Sequence, residues 1–353
     1  MSGERQLFLA YPGDLETRTG GYLYDRRVAL ELEGRGWQVE RMSLPIGFPH
    51  PSAEELTAAG VRLSTLPRGA LALIDGLALG AMPPALTAEL AAHVDLVALV
   101  HHPLCLETGL SVTAATELER SERAALAVVR TVIVTSTSTA RSIASMFGVP
   151  GERISVAVPG TDAAPLASGS IDGVVRMLAV GTVTPRKGHA ILVRALAGLE
   201  GRWQLELAGS LERDPATVGD LRALIGDYGL ADRIRFLGEL DWEALAAAFD
   251  RADLFVSASF YEGYGMAIAE ALARGLPIVA ATGGAVRDTV GPDAGLLVPP
   301  DDPTALRGAL RRFLTDSDLA ANIRRGARAS RERLPSWSDT ADVVEATLLG
   351  AVH

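Results

Sequence analysis

Two short apolar runs, Ala252-Asp-Leu-Phe-Val-Ser257 and Leu276-Pro-Ile-Val-Ala280, bracket a glycine-led turn and a helical stretch, and this unit constrains the fold more than any other part of the chain. Runs that are apolar throughout, rather than alternating, belong to strands buried on both faces of a parallel sheet, and such strands need helical crossovers. The pattern recurs. Gln6–Ala10, Trp37–Met42, Ala72–Asp75, Asp95–Val100, Thr131–Thr135 and Ile154–Val158 read as strands of one half, with helices near 20–35, 116–129 and 136–147. Arg176–Gly181, Trp203–Gly209, Ile234–Leu237 and Ala294–Val298 join the first two runs in a second half, with helices after Gly188 and over Pro215–Gly229. At 353 residues the chain exceeds one ordinary domain and suits two α/β domains. Pro165–Gly173, small and polar, reads as the linker, and Leu44–Arg68 as a proline-containing connection without a pattern.

Charge narrows the function. A net charge of −10 argues against a nucleic-acid partner, and the arginines at 324, 325, 328, 331 and 333 read as a solvated helix face. One cysteine, Cys105, permits no internal disulfide. Residues 1–5 are charged without a basic-then-apolar leader, and the most apolar stretch, Ala70–Ala81, is broken by Asp75 and followed by Pro83-Pro84, so neither a secretion signal nor a membrane span is expected and a cytoplasmic location is.

The chemistry concentrates in Phe260-Tyr-Glu-Gly-Tyr-Gly-Met-Ala-Ile-Ala-Glu270. Gly263 and Gly265 let backbone approach a ligand at the mouth of a helix, where unpaired N–H groups and the dipole favour an anion. Glu262 and Glu270 are separated by seven residues. At ~1.5 Å rise per residue they can lie on the order of 10 Å apart with the anion-friendly helix end between them. Carboxylates accept from hydroxyl pairs, so hydroxyls, phosphates and hydroxyls in a row, the layout of a nucleotide sugar, would match. Thr182-Val-Thr-Pro-Arg-Lys-Gly188 places Arg186 and Lys187 at a predicted helix start, where two cations repel the dipole unless an anion arrives, which suggests a diphosphate site. Gly20-Gly21 opens a helix after the first strand, with no G-x-G-x-x-G and hence no sign of a dinucleotide dehydrogenase. His101 leaves the strand Asp95–Val100 at its carboxyl end, where open parallel sheets bind ligands, and Gly238 ends another strand. Asp316-Ser317-Asp318 formally fits a metal-holding Asp-x-Asp but opens a helix, and capping explains it.

Glu-Gly-Tyr-Gly-Met-Ala with its second glutamate, followed by Ala-Arg-Gly-Leu-Pro-Ile-Val-Ala, resembles the signature of the retaining glycosyltransferases of family 4, and Arg186-Lys187-Gly188 and Pro159-Gly-Thr-Asp162 resemble two further motifs of that family. The resemblance spans nearly the whole chain but is specific mainly from Gly181 to Pro300. It implies a GT-B fold: two Rossmann-like domains facing across a cleft, an acceptor domain over 1–164, a donor domain over 174–335, and a last helix over 336–353 that crosses back to the first domain. It also implies transfer of a hexosyl unit from a UDP- or GDP-sugar to an acceptor that the sequence leaves unnamed, without cofactor or metal. His101, Glu262, Arg186 and Lys187 become the candidate catalytic groups. Gly20, Gly21, Arg186, Lys187, Gly238, Glu262, Gly263, Tyr264, Gly265, Met266 and Glu270 become the donor-binding ones. A non-catalytic nucleotide-sugar binder and a nucleotide-sugar epimerase are the competing expectations, since fold alone does not separate them.

Overall fold

The computed structural model describes residues 5–352, which divide into two compact units: the chain up to Gly160 together with the segment from Pro335 onward, and Thr161–Leu334. Among the described residues no helix is long and apolar enough to cross a membrane.

The first unit runs β1 (Gln6–Pro12), α1 (Gly20–Gly34), β2 (Gln38–Leu44), α2 (Ala53–Leu63), β3 (Leu71–Asp75), α3 (Gly76–Leu79), α4 (Pro84–His93), β4 (Asp95–Val100), α5 (Val112–Val128), β5 (Thr131–Val134), α6 (Thr137–Phe147) and β6 (Ile154–Val156). Its strands form a parallel sheet in the order β2-β1-β3-β4-β5-β6, with Ala10 in register with both Met42 and Ile74. One sheet face carries Phe8, Ala72, Ile74, Leu96, Ala98 and Val132 into a core with Leu63 and Leu79. The connection that showed no pattern contains α2. Its apolar stripe is thin, with only Ala59 and Leu63 buried, but Ser52 and Glu55 form a reciprocal capping box that fixes its start.

The C-terminal helix, Trp337–Ala351, also belongs to this unit and starts at a second capping box, Ser336 with Asp339. It packs on α1. The Trp337 ring lies 5.9 Å from Tyr24 and under the Arg27 guanidinium at 4.9 Å, while Arg35 ion-pairs with Asp342 and Glu345 at 2.5 and 3.1 Å. Trp337, Val344 and Leu348 are buried, at roughly 1.5–3 kcal/mol each. Gly160, where the resembling motif has asparagine, lies so close to the Trp337 backbone that any Cβ would collide with it.

The second unit runs β7 (Val175–Val180), α7 (His189–Leu196), β8 (Trp203–Ala208), α8 (Pro215–Asp227), β9 (Ile234–Gly238), α9 (Trp242–Asp250), β10 (Leu254–Ser257), α10 (Met266–Ala273), β11 (Ile278–Ala281), α11 (Val286–Val290), β12 (Gly295–Val298), α12 (Pro303–Thr315) and α13 (Ser317–Ser330). The parallel sheet has the order β12-β11-β10-β7-β8-β9. Neighbouring residues serve opposite faces: Met177, Val256 and Val279 enter one core, Leu178, Phe255 and Ile278 the other. That double burial is why these strands are continuously apolar.

Residues 165–173 are not a loose tether. Ala167 and Gly169 donate backbone N–H groups to Arg274 O and Asp250 O at 2.9 Å each, and Ser170 N reaches the Asp253 carboxylate at 3.1 Å. Arg331 fastens the residue just before this stretch, donating to Ala164 O at 2.6 Å and to Ala273 O at 2.7 Å. Arg324 lies over the Phe313 ring at 5.3 Å. Of the basic cluster, Arg324, Arg325, Arg328 and Arg333 are exposed, as a solvated face requires, and only Arg331 is half-buried, its guanidinium fork satisfying two carbonyls at once. Asp316 caps α13 through Leu319 N at 2.9 Å, as its position before that helix suggested.

Candidate active site

In the second unit the strand order reverses between β7 and β10, and ligands in open parallel sheets bind beyond the carboxyl ends of strands at such a switch point. Three loops meet there. The loop after β7 ends in a single 3-10 turn, Pro185–Lys187, then Gly188 in the left-handed conformation (φ 63°), then α7. The loop after β10 carries Glu262 and enters α10 through Gly265 (φ 92°), and the loop after β11 carries Gly283 and Gly284. Backbone bonds tie them together: Phe260 N donates to Arg186 O at 2.8 Å, Glu262 N to Gly283 O at 3.2 Å, and Ala285 N to Glu262 O at 2.8 Å. Cβ atoms at Gly188, Gly283 and Gly284 would strike the carbonyls of Ala258, Phe260 and Glu262, respectively. A Gly188→Ala variant is therefore expected to lose at least roughly 1–3 kcal/mol from the left-handed backbone alone, visible as a lower midpoint in urea unfolding.

This packing brings together charges that lie 75 residues apart in sequence. Lys187 Nζ sits 2.7 Å from Glu262 Oε1, and Arg186 Nη1 lies 3.8 Å from Glu262 Oε2 while donating to Tyr261 O at 2.8 Å. The two cations expected at a helix start, in conflict with its dipole unless an anion arrives, do lie directly before α7. They occupy the turn before α7, and the Glu262 carboxylate is the anion that settles Lys187. Burial alone would raise the Glu262 carboxyl, but Lys187 and Arg186 outweigh it and hold it below the ordinary carboxylate range. His189, buried at the start of α7, is pushed down to about 4 by burial and by Lys187, so it adds no further positive charge.

Glu270 is the fifth residue of α10 and remains partly open to solvent. Burial pushes its carboxyl up to about 7, with Arg274 opposing and Asp162 adding to the rise. Between the two glutamates, Gly263 and Gly265 shape the turn. The Tyr264 ring is buried with its carbonyl accepting from Thr289 Oγ1 at 2.5 Å, and Met266 is the first residue of the helix. Gly238 ends β9, two strands from the switch point, where its carbonyl accepts from Gly209 N at 2.8 Å.

The remaining predicted residues lie in the first unit, again near a reversal of strand order, between β1 and β3. Gly20 and Gly21 open α1 behind the Thr19 cap, and a Cβ on Gly21 would come within 3.3 Å of His101 Cδ2. His101 is held by two contacts that its sequence position did not reveal: Nε2 is 3.1 Å from Asp25 Oδ1, and the Tyr24 ring meets it edge-on at 5.4 Å. Asp75, at the end of β3, completes a buried cluster with Asp25 and His101. A signal for Asp25 existed. It shares the stripe of Val28, Ala29 and Leu32 on α1, a carboxylate at apolar spacing.

The fold and the charged switch point define a two-unit α/β protein of GT-B type. Residues 167–330, which make up most of the second unit, match the family described as Glycosyl transferases group 1. A D-inositol 3-phosphate glycosyltransferase of Acidothermus cellulolyticus is 34% identical over 60% of this chain and 51% of its own length. An MMP alpha-(1->4)-mannosyltransferase of Mycolicibacterium hassiacum is 29% identical over 84% of this chain and 74% of its own. The chain thus spans about half the length of the first relative. Sucrose-phosphate synthase from Thermosynechococcus elongatus superimposes with a TM-score of 0.83 over 99% of this chain and 100% of that one; at 24% identity this likeness concerns the fold.

Proposed function

We propose that the protein is a retaining glycosyltransferase that moves a hexosyl unit from a UDP- or GDP-sugar to an acceptor hydroxyl without a metal ion. The observation that carries this reading is the Arg186–Lys187–Glu262 arrangement at the β7/β10 switch point, with Glu270 one helix turn beyond Gly265. Breaking the anomeric bond builds negative charge on the leaving diphosphate. Lys187 and Arg186, already fixed in place, stabilise that charge as it forms, and preorganised charges of this kind need no rearrangement at the moment of reaction. Glu262 then turns from Lys187 to a sugar hydroxyl, and Glu270 accepts from the ribose. The departing phosphate takes the acceptor proton on the same face, so no separate base is required. Incubation with UDP- and GDP-hexoses in EDTA tests the reading: release of nucleoside diphosphate with a product of retained configuration by NMR is the expected result. Binding without release would leave a nucleotide-sugar binder, and sugar conversion without release an epimerase.

Glu270 gives this reading a pH signature. Only the ionised carboxylate accepts from two ribose hydroxyls, so binding must expel the proton that Glu270 carries when its carboxyl titrates near 7. Affinity for the intact nucleotide sugar, whose diphosphate has no proton to lose near neutrality, should therefore rise about tenfold from pH 6 to pH 8 and then level off. Glu270→Gln should flatten the curve and weaken binding throughout; calorimetry that finds wild type and variant equally pH-independent would remove Glu270 from the ribose site.

A further inference from the structure

The first unit holds a cluster that the proposed transfer leaves unexplained. Asp25 is fully buried, Asp75 is 2% exposed, and one ligating atom from each lies within 4.8 Å of the others and of His101. Asp25 Oδ1 faces His101 Nε2 at 3.1 Å. Asp75 Oδ1 accepts from Leu77 N at 2.8 Å, capping α3. Asp25 Oδ2 is buried with no hydrogen-bond partner. An unsatisfied buried carboxylate oxygen is costly, and two ionised carboxylates side by side out of water cost more. Two protons resolve both problems. One on Asp75 gives it an O–H that can donate to Asp25 Oδ2; one on the imidazole gives Nε2 an N–H for Asp25 Oδ1. The cluster is then neutral, with an imidazolium, one carboxylate and one carboxylic acid.

We propose that Asp25 is a positioning residue for His101: backed by a protonated Asp75, it fixes Nε2 as a hydrogen-bond donor and keeps the ring an imidazolium at neutral pH, so that Nδ1 also carries a hydrogen. The functional part of this rests on the reading of His101 as a candidate catalytic group; a charged ring offers a substrate hydroxyl a donor, not an acceptor. Burial opposes the charge on His101, but the charge and hydrogen bond of Asp25 together with the nearby Asp75 raise the ring above its ordinary value, while burial and the Asp25 charge raise Asp75 against the pull of His101. The groups facing His101 from the packed elements are Asp25 and Tyr24 on α1, Asp75 on β3, and the Thr135 hydroxyl beyond β5, which donates to the His101 carbonyl at 3.2 Å. Burial keeps Tyr24 un-ionised, and its O–H donates to Ala157 O at 3.0 Å, so it neither takes nor supplies the proton. The neighbouring His102 turns to Glu107 at 3.2 Å.

The test is nitrogen-15 NMR of imidazole-labelled full-length protein, whose 6 histidines are resolved by subtracting the spectrum of His101→Gln. The expected result is an imidazolium at pH 7 with a slowly exchanging Nε2–H, a His101 pKa lower by at least one unit in Asp25→Asn, and a ring still charged in Asp75→Asn, whose amide replaces the acid O–H. A neutral ring at pH 7 in the wild type, or unchanged titration in Asp25→Asn, overturns the proposal. So does a divalent ion: His101 resonances that move on adding EDTA, or that broaden with manganese only while Asp25 is present, would make the cluster a metal site. Should Asp25→Asn not fold, the wild-type charge state and its EDTA response decide alone. Where sugar transfer is detected, Asp25→Asn should lower kcat at least tenfold with donor KM little changed; where none is detected, the NMR result still stands and only the transferase reading falls.

Discussion

Glu262→Ala is expected to lower turnover about 10²–10³-fold, the range seen when one preorganised polar group is removed from a transition state, while affinity for free nucleoside diphosphate stays level or rises. The asymmetry follows from the ion pair. In the empty site Glu262 neutralises Lys187 at 2.7 Å, so deleting it leaves the diphosphate a cation with no competing partner. The sugar, in contrast, loses its carboxylate acceptor, and the penalty falls on the step in which the anomeric bond breaks. Equal losses with the nucleotide and with the full donor, measured by calorimetry and steady-state kinetics on folded protein, would contradict this division.

Lys187→Ala is the second large effect and the more damaging to the fold. Catalytic efficiency should drop about 10³-fold through loss of charge stabilisation on the diphosphate. Stability should fall as well, because Glu262, only 12% exposed, keeps its charge without its nearest cation. Removing one member of a fully buried pair costs ~3–5 kcal/mol; here both side chains keep some solvent, so about 2 kcal/mol is the expected loss. The sign with pH is fixed by the depressed Glu262 carboxyl: its contribution is present above the unfolded value of 4.5 and fades as pH falls through the lower folded value. The gap between variant and wild type should accordingly be full at pH 7 and narrow at pH 4 in urea titrations. The double variant Lys187→Ala/Glu262→Ala should be more stable than Lys187→Ala alone; if it is less stable, the two side chains are not coupled as the geometry indicates.

What could be read from residues alone depended on whether the governing interaction was local. The strands β7, β10 and β11 are apolar on both faces and announce themselves, and the glycines at 188 and 265 mark turns that glycine geometry requires. The elements α2, α3, α4 and α9 were not legible as helices; α3 has four residues and α2 buries almost nothing, and side-chain caps fix the starts of α2, α3 and α9 while α4 starts at Pro83-Pro84 without one. The partnership of Lys187 with Glu262 was equally hidden. Each was recognisable as a charged residue at a ligand-facing turn, but their pairing needs the β7/β10 neighbour relation, a matter of strand order rather than spacing. Asp25 and Asp75 were missed for a related reason: a single carboxylate on an apolar stripe looks like a tolerated exception until three elements converge on it.

The C-terminal helix has a consequence for how the molecule is made. Domains generally fold as they emerge during synthesis, the N-terminal one first. Here the first unit cannot finish in that order, because Trp337, Val344 and Leu348, buried on a helix that packs against α1 and the sheet, are translated only after every residue of the second unit. A nascent chain ending near residue 160 therefore lacks the helix that closes one side of its own core, while the unit encoded later holds all its own residues in one continuous stretch. The unit translated earlier is the one that waits longest for its last wall, and exposed apolar surface during that wait is a target for holdase chaperones.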